Sequence, residues 1–248
     1  MSLWRLELLR MIRTHRWTVL VGVYLFLGVT GPLTGRYIGE ILENFGGDMV
    51  VQMPDPRPLD GIVQFISNAT QLGLLAVVIV AASALAIDAR VEVAAFLRTR
   101  VDHPRRLLWP RYAIVTATTV LALILGTAAA WGLTAVLLGA LPTGAMLIGT
   151  GYGILYLAFA VAVVALVGAL AQGMLPTVFA ALGILIVLPI IGVLPPVQPW
   201  LPSHLVSAVI DMVDGAPASD YLRAAGVTLV LIPALLVIAG ERLRAREL

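Results

Sequence analysis

The chain has 248 residues, of which 60% are hydrophobic and only 12% charged, with a formal net charge of +2. Soluble domains run nearer half apolar and a quarter charged, so this composition describes a polytopic membrane protein, one transmembrane domain with no soluble domain of its own. Cysteine and lysine are both absent, which excludes disulfides, thiolate metal sites, Schiff-base chemistry and the lysine of a phosphate-binding loop.

Residues 1–16 read as an amphipathic helix at the membrane surface. Trp4, Leu8, Met11 and Ile12 fall on one face and Glu7, Arg10, Arg13 and Thr14 on another. The alternative is a basic flank of the first span. The first span is expected over 17–33. Arginines before an apolar run resemble a signal peptide, but no small-residue cleavage site follows, so the segment reads as an anchor that stays.

Residues 35–60 form a polar, acidic connection. Within it Tyr37 to Phe45 can make a short helix stopped by Gly46-Gly47, and Pro54, Pro56 and Pro58 keep the chain extended. The second span is expected over 62–87. Its first half carries Gln64, Ser67, Asn68, Thr70 and Gln71, and helical spacing places Gln64, Asn68 and Gln71 on one face.

An arginine-rich loop, 88–111, follows. The third span is expected over 112–138, punctuated by Thr116, Thr119, Thr127 and Thr134, and the fourth over 145–170 after a tight Pro142-Thr143-Gly144 turn. The fifth is expected over 174–193. Residues 194–221 are proline-rich, and there Ser203 is placed to cap a short helix from His204 to Val213. The last span is expected over 222–239, with a charged tail behind it. Each run is near the ~20 residues that cross a bilayer, which makes six spans, although the fourth and fifth also read as a re-entrant pair.

All the arginines except Arg36, Arg57 and Arg223 fall in the N-terminal flank, the 88–111 loop and the tail. An even number of spans puts those three segments on one side, and positive charge stays inside. The expectation is a multi-pass membrane protein with both termini and the loop cytoplasmic.

Catalytic patterns are missing. His15, His103 and His204 lie in separate flanking segments with no metal-ligand spacing, and no Gly-x-Ser-x-Gly occurs. Gly149, Gly151 and Gly153 imitate a nucleotide loop but open an apolar helix with no strand before it. Gly149 and Gly153 fit close helix packing better. No ionisable residue sits in the middle of an expected span, which speaks against a proton-coupled carrier. The Gln64, Asn68 and Gln71 face reads either as a pathway or subunit contact, or as ordinary hydrogen bonding between helices.

The layout resembles the membrane subunit of a bacterial ABC exporter, the type-two six-helix permease class. In the 88–111 loop, Glu92, Ala94-Ala95, Phe96-Leu97, Thr99, Val101, Arg105-Arg106 and Leu107-Leu108 follow that class's order of glutamate, small residues, apolar turn, Ser/Thr, valine, basic pair and apolar helix start. Ala94-Ala95 replaces the usual Gly-Thr, and Arg100 the usual proline. The resemblance implies an interfacial first helix, short outer helices before the last span, and a coupling helix docked on a separate ABC ATPase subunit. Glu92, Phe96, Leu97, Arg98 and Arg100 are the docking residues it implies. Apolar anchors dominate such contacts, and the arginines set register.

It also implies a second permease copy or paralogue, because one chain offers one loop to a pair of ATPases. The chain would hold no cofactor; ATP and magnesium belong to the partner ATPase, and no nucleic acid is involved. The chain itself would not be an enzyme. The rival readings are a membrane docking or regulatory subunit that transports nothing, and the proton-coupled carrier.

Overall fold

The computed structural model describes residues 3–45, 56–85, 105–171 and 173–245. It is helical, with no strand among the described residues. Six helical stretches are long and apolar enough to cross a membrane: Arg16–Glu40, Pro58–Leu85, Leu108–Leu137, Thr143–Leu170, Met174–Ile191 and Ala218–Ala245. The protein is therefore an all-α, multi-pass membrane protein. The 18-residue fifth span is the shortest, and at 1.5 Å per residue it covers about 27 Å, close to the ~30 Å hydrocarbon layer.

Helix α1 (Leu3–Arg13) ends in a basic turn containing Arg10 and Arg13, which suits the negative end of the helix dipole. The Thr14 hydroxyl donates to the Arg10 carbonyl at 2.7 Å. His15 then takes a left-handed conformation, φ 53°, and the chain turns into α2. The two faces of α1 differ from the sequence pattern. Glu7 and Met11, four residues apart, both point into the bundle, and the stripe left exposed is Trp4, Leu8 and Ile12.

Helix α2 is one unbroken element, Arg16–Phe45, with Pro32 inside it. Tyr37 to Phe45 is thus the continuation of the first span and not a separate short helix. Pro32 is buried and its fixed φ fits the helix; only one intrahelical N–H bond is lost. The Gly46-Gly47 stop lies outside the described residues.

The second span is three pieces in one line: α3 (Pro58–Asn68), a π turn (Ala69–Gly73) and α4 (Leu74–Leu85). Pro58 occupies the first helical position, and the Arg57 N–H donates to the Asp60 carboxylate at 2.7 Å, so the helix starts earlier than position 62. In the π turn the Leu74 N–H reaches back five residues to the Ala69 carbonyl.

Helix α5 runs from Arg105 to Leu137. Residues 105–111, expected in the loop, are its first two turns. Helices α6 (Thr143–Leu170) and α7 (Met174–Ile191) follow as two full spans. The outer segment is a string of short elements: 3-10 turns at Gln198–Trp200, Pro202–Val206 and Ala218–Tyr221, with helix α8 (Ala208–Val213) between the last two. Ser203 lies inside a 3-10 turn and caps nothing by its side chain; Leu201 holds the cap position there. Helix α9 (Leu222–Ala245) carries most of the expected charged tail as helix.

The fourth span is the hub. Of its most apolar window 67% is buried, against 22% for the fifth span. α6 packs against α4, α5, α7, α8 and α9. Two close approaches fix the rest. Gly28 of α2 sits on the Gly126 carbonyl of α5, and a Cβ at Gly126 would meet the Tyr24 carbonyl oxygen at 2.7 Å. Glycines let these two backbones touch. On α6, a Cβ at Gly149 would lie 2.6 Å from the Val209 Cα, so glycine there admits the outer helix α8. Of the expected Gly149 and Gly153 pair only Gly149 makes a close approach, and its neighbour is a short outer helix. Gly153 makes only ordinary contact with Leu123.

Successive spans alternate in direction. α1, the end of α4, the start of α5 and the end of α9 share one end of the bundle, called the α1 end below. Pro58, Gly139 and the 192–217 segment lie at the opposite end.

Candidate functional site

Glu92, Phe96, Leu97, Arg98 and Arg100, the docking residues that the resemblance implies, lie outside the described residues. What is described is the frame around them: α4 as far as Leu85 and α5 from Arg105, with Ala84 of α4 and Arg111 of α5 lining one notch with α1.

That junction is built around an ion pair. The Arg111 Nε donates to Glu7 Oε1 at 2.8 Å, joining residues 104 positions apart. The side chains are 5% and 15% exposed. Arg10, one helical turn from Glu7, reaches the other carboxylate oxygen at 3.7 Å. Met11, Arg16, Ala84, Ile114 and Val115 complete a small notch around the pair. A buried pair of this kind adds little net stability, because desolvation offsets the attraction, but losing one partner is costly. Its physical effect is register: α1 is fixed to the start of the third span one helix turn after Leu108. Reading the sequence as positive-inside charge passed over this pair. The available signals were a lone glutamate in a basic helix and an arginine just past Pro110 in an apolar run.

The amide face of the second span lies in its first half, toward the opposite end of the bundle. Gln64 Nε2 donates to Asn68 Oδ1 at 3.4 Å, and both are half-buried. The π turn begins at the next residue. Its extra residue breaks the spacing that would stack Gln71 over Gln64, and Gln71 is exposed. The other side of this segment, Gly61, Ile62, Phe65 and Ala69, is buried, with Gly61 and Phe65 against α2. The Thr70 hydroxyl is satisfied locally, donating to the Ile66 carbonyl at 2.7 Å. The structure therefore pairs Gln64 with Asn68 and turns Gln71 outward beside exposed Leu72 and Leu75. Where the π turn falls, Gly73 faces the ring of buried Tyr24, which a Cβ would meet at 3.0 Å.

At the opposite end, the outer segment is tied down by aromatic residues. Tyr221 donates to Asp211 at 2.6 Å, His204 stacks on the Tyr221 ring with centroids 4.7 Å apart, and Tyr152 of α6 donates to the Ala218 carbonyl at 2.9 Å. This network closes the short helices onto α6 and α9. His204 thereby has a packing role, while exposed His15 marks the joint between α1 and α2.

Among the described residues no three His, Asp or Glu side chains converge as a metal site. No protein-family model matches this sequence, and no curated protein matches it either.

Proposed function

We propose that this chain is the permease subunit of an ATP-driven exporter, working as a dimer with a second copy or paralogue and coupled to a separate ABC ATPase through the segment between α4 and α5. The observation that carries the reading is the polar first half of the second span. Gln71 is exposed, and Gln64 and Asn68, which pair with each other, are only half-buried in an otherwise apolar helix, where polar groups need further partners or water. An interface between two copies, enclosing a wet path, supplies both. The arginine-rich segment opens from the junction that α1 and the third span hold together, a place where a docked partner's movement reaches the spans.

The arginine bias orients the molecule. Arg5, Arg10, Arg13, Arg16, Arg242 and Arg244 gather at the α1 end, against Arg36, Arg57 and Arg223 toward the other. By the positive-inside rule the α1 end is cytoplasmic, in the bacterial cell membrane. ATP and magnesium are held by the partner, and this chain performs no hydrolysis.

The test is co-purification with an ABC ATPase. Wild type retains it, and Phe96→Arg, which puts a charge at the proposed apolar anchor, loses it. Undiminished binding and transport in that variant would sink the docking assignment. A docking subunit that transports nothing shares the same loop. Substrate-stimulated ATP turnover in reconstituted vesicles separates the two.

A further inference from the structure

Gln71 stands at the middle of the second span. It lies 13 positions after Pro58 and 14 before Leu85, with about 20 Å of helix on either side. A second measure of depth agrees: Gly73, two positions on, faces Tyr24, which is near the centre of the apolar run 17–33. Gln71 is exposed on the outside of the bundle, and Leu72, Leu75 and Ile79 are exposed beside it and further along the helix.

Other polar groups inside the spans are satisfied locally. Ser83, Thr119 and Thr228 donate their hydroxyls to carbonyls of their own helices. The Gln71 amide, which carries two N–H donors and a carbonyl, has no hydrogen-bond partner among the described residues. Acyl chains offer it neither donor nor acceptor, so an unmatched amide at this depth is costly.

We propose that Gln71 pairs with Gln71 of a second copy of this chain, across a two-fold axis along the membrane normal. A two-fold axis in the membrane plane would turn one copy upside down, so copies that insert the same way round use the normal. Each residue then meets the partner at its own depth, and a residue on the axis meets itself. A primary amide suits that meeting. Each side chain donates an N–H to the other's carbonyl, a reciprocal pair of bonds that buries no charge. Leu75 and Ile79, further along the same face, supply apolar contact beside the pair. The contact rests on the two-copy part of the exporter reading and owes nothing to an ATPase. On that reading the pair lies across the path between the copies, at mid-depth.

The full chain contains no cysteine, so Q71C introduces a single thiol. In membranes treated with a membrane-permeant oxidant, Q71C is expected to run as a disulfide-linked dimer. V230C, at an exposed position near the middle of the last span, is expected to run as a monomer. Q71L only makes an exposed face more apolar and is expected to insert normally. Energy transfer between terminally labelled copies, diluted in liposomes, is expected to show its dimerisation weakened about tenfold. The contact is overturned if Q71C cross-links no more than V230C, or if Q71L dimerises as tightly as wild type. It is also overturned if Q71C reacts with a membrane-impermeant thiol reagent in place of cross-linking, which assigns the amide to water in the path. A wild-type dimer without the Q71C cross-link overturns the contact alone and leaves the exporter reading standing. Wild-type copies that stay monomeric at every lipid dilution overturn the contact and the second-copy reading together.

Discussion

Glu7 and Arg111 carry opposite charges into a place with little water, and Arg111 is the more deeply buried of the two. Glu7→Gln leaves Arg111 buried without its counter-charge and is expected to destabilise the docking of α1 by about 3 kcal/mol. Hydrogen exchange over residues 3–13 reads this directly: exchange accelerates in Glu7→Gln and is recovered in the reversed pair E7R/R111E. No recovery in the reversed pair would mean that packing around Met11, and not the pair, holds α1. Gly149 makes a second residue-scale case. Gly149→Ala forces α8 away from α6 and is expected to cost about 1–3 kcal/mol, seen as a lower melting temperature in detergent and faster proteolysis between 198 and 221. Neither effect was legible in the sequence. A contact between residues 104 positions apart leaves no periodic trace, and Gly149 announced close packing without naming its neighbour.

At the scale of elements, the apolar runs were legible because a bilayer demands ~20 apolar residues per crossing and the chain has few charges to blur the count. Their ends were less legible, since local breakers outvoted tertiary context on paper. Gly31-Pro32 and Arg36 look like a stop, yet α2 runs on to Phe45 because its face continues to pack on α3 through Gly31 and Gly35. The π turn was invisible for a different reason: no residue type encodes it, and only the fit of Tyr24 against Gly73 shows why the extra residue is there. That fit gives a prediction. Deleting Thr70 converts the π turn to regular α-helix and keeps both halves of the span facing as they do. Deleting Val78 instead rotates the segments on either side of it by ~100° relative to each other. The first variant is expected to fold and insert with a small loss of melting temperature, and the second to be degraded; equal yields of both would show that the turn is not a one-residue insertion.

At the scale of the whole molecule, the orientation proposed from arginine placement has a clean assay, because the chain contains no cysteine. Single cysteines at Ala140 and Asp214 are expected to react with a membrane-impermeant thiol reagent on intact cells, and those at Thr14 and Arg242 only after lysis. The opposite pattern would reverse the molecule and place residues 86–104 outside, away from any ATPase.

The hub position of α6 also bears on how the protein is made. Synthesis delivers the spans in order, so the helix that the others surround arrives fourth. The first three do not wait for it: α2, the second span and α5 already touch through Gly28, Gly126, Gly31 and Phe65, and the Glu7–Arg111 clasp can close behind them. When α6 emerges it meets a half-built wall on one side and open lipid on the other, and α9, one of its main partners, is still being translated. In that interval the face of α6 that packs on α9 has no protein partner. A translational pause within 171–217 lengthens the interval, and a pause before Thr143 does not.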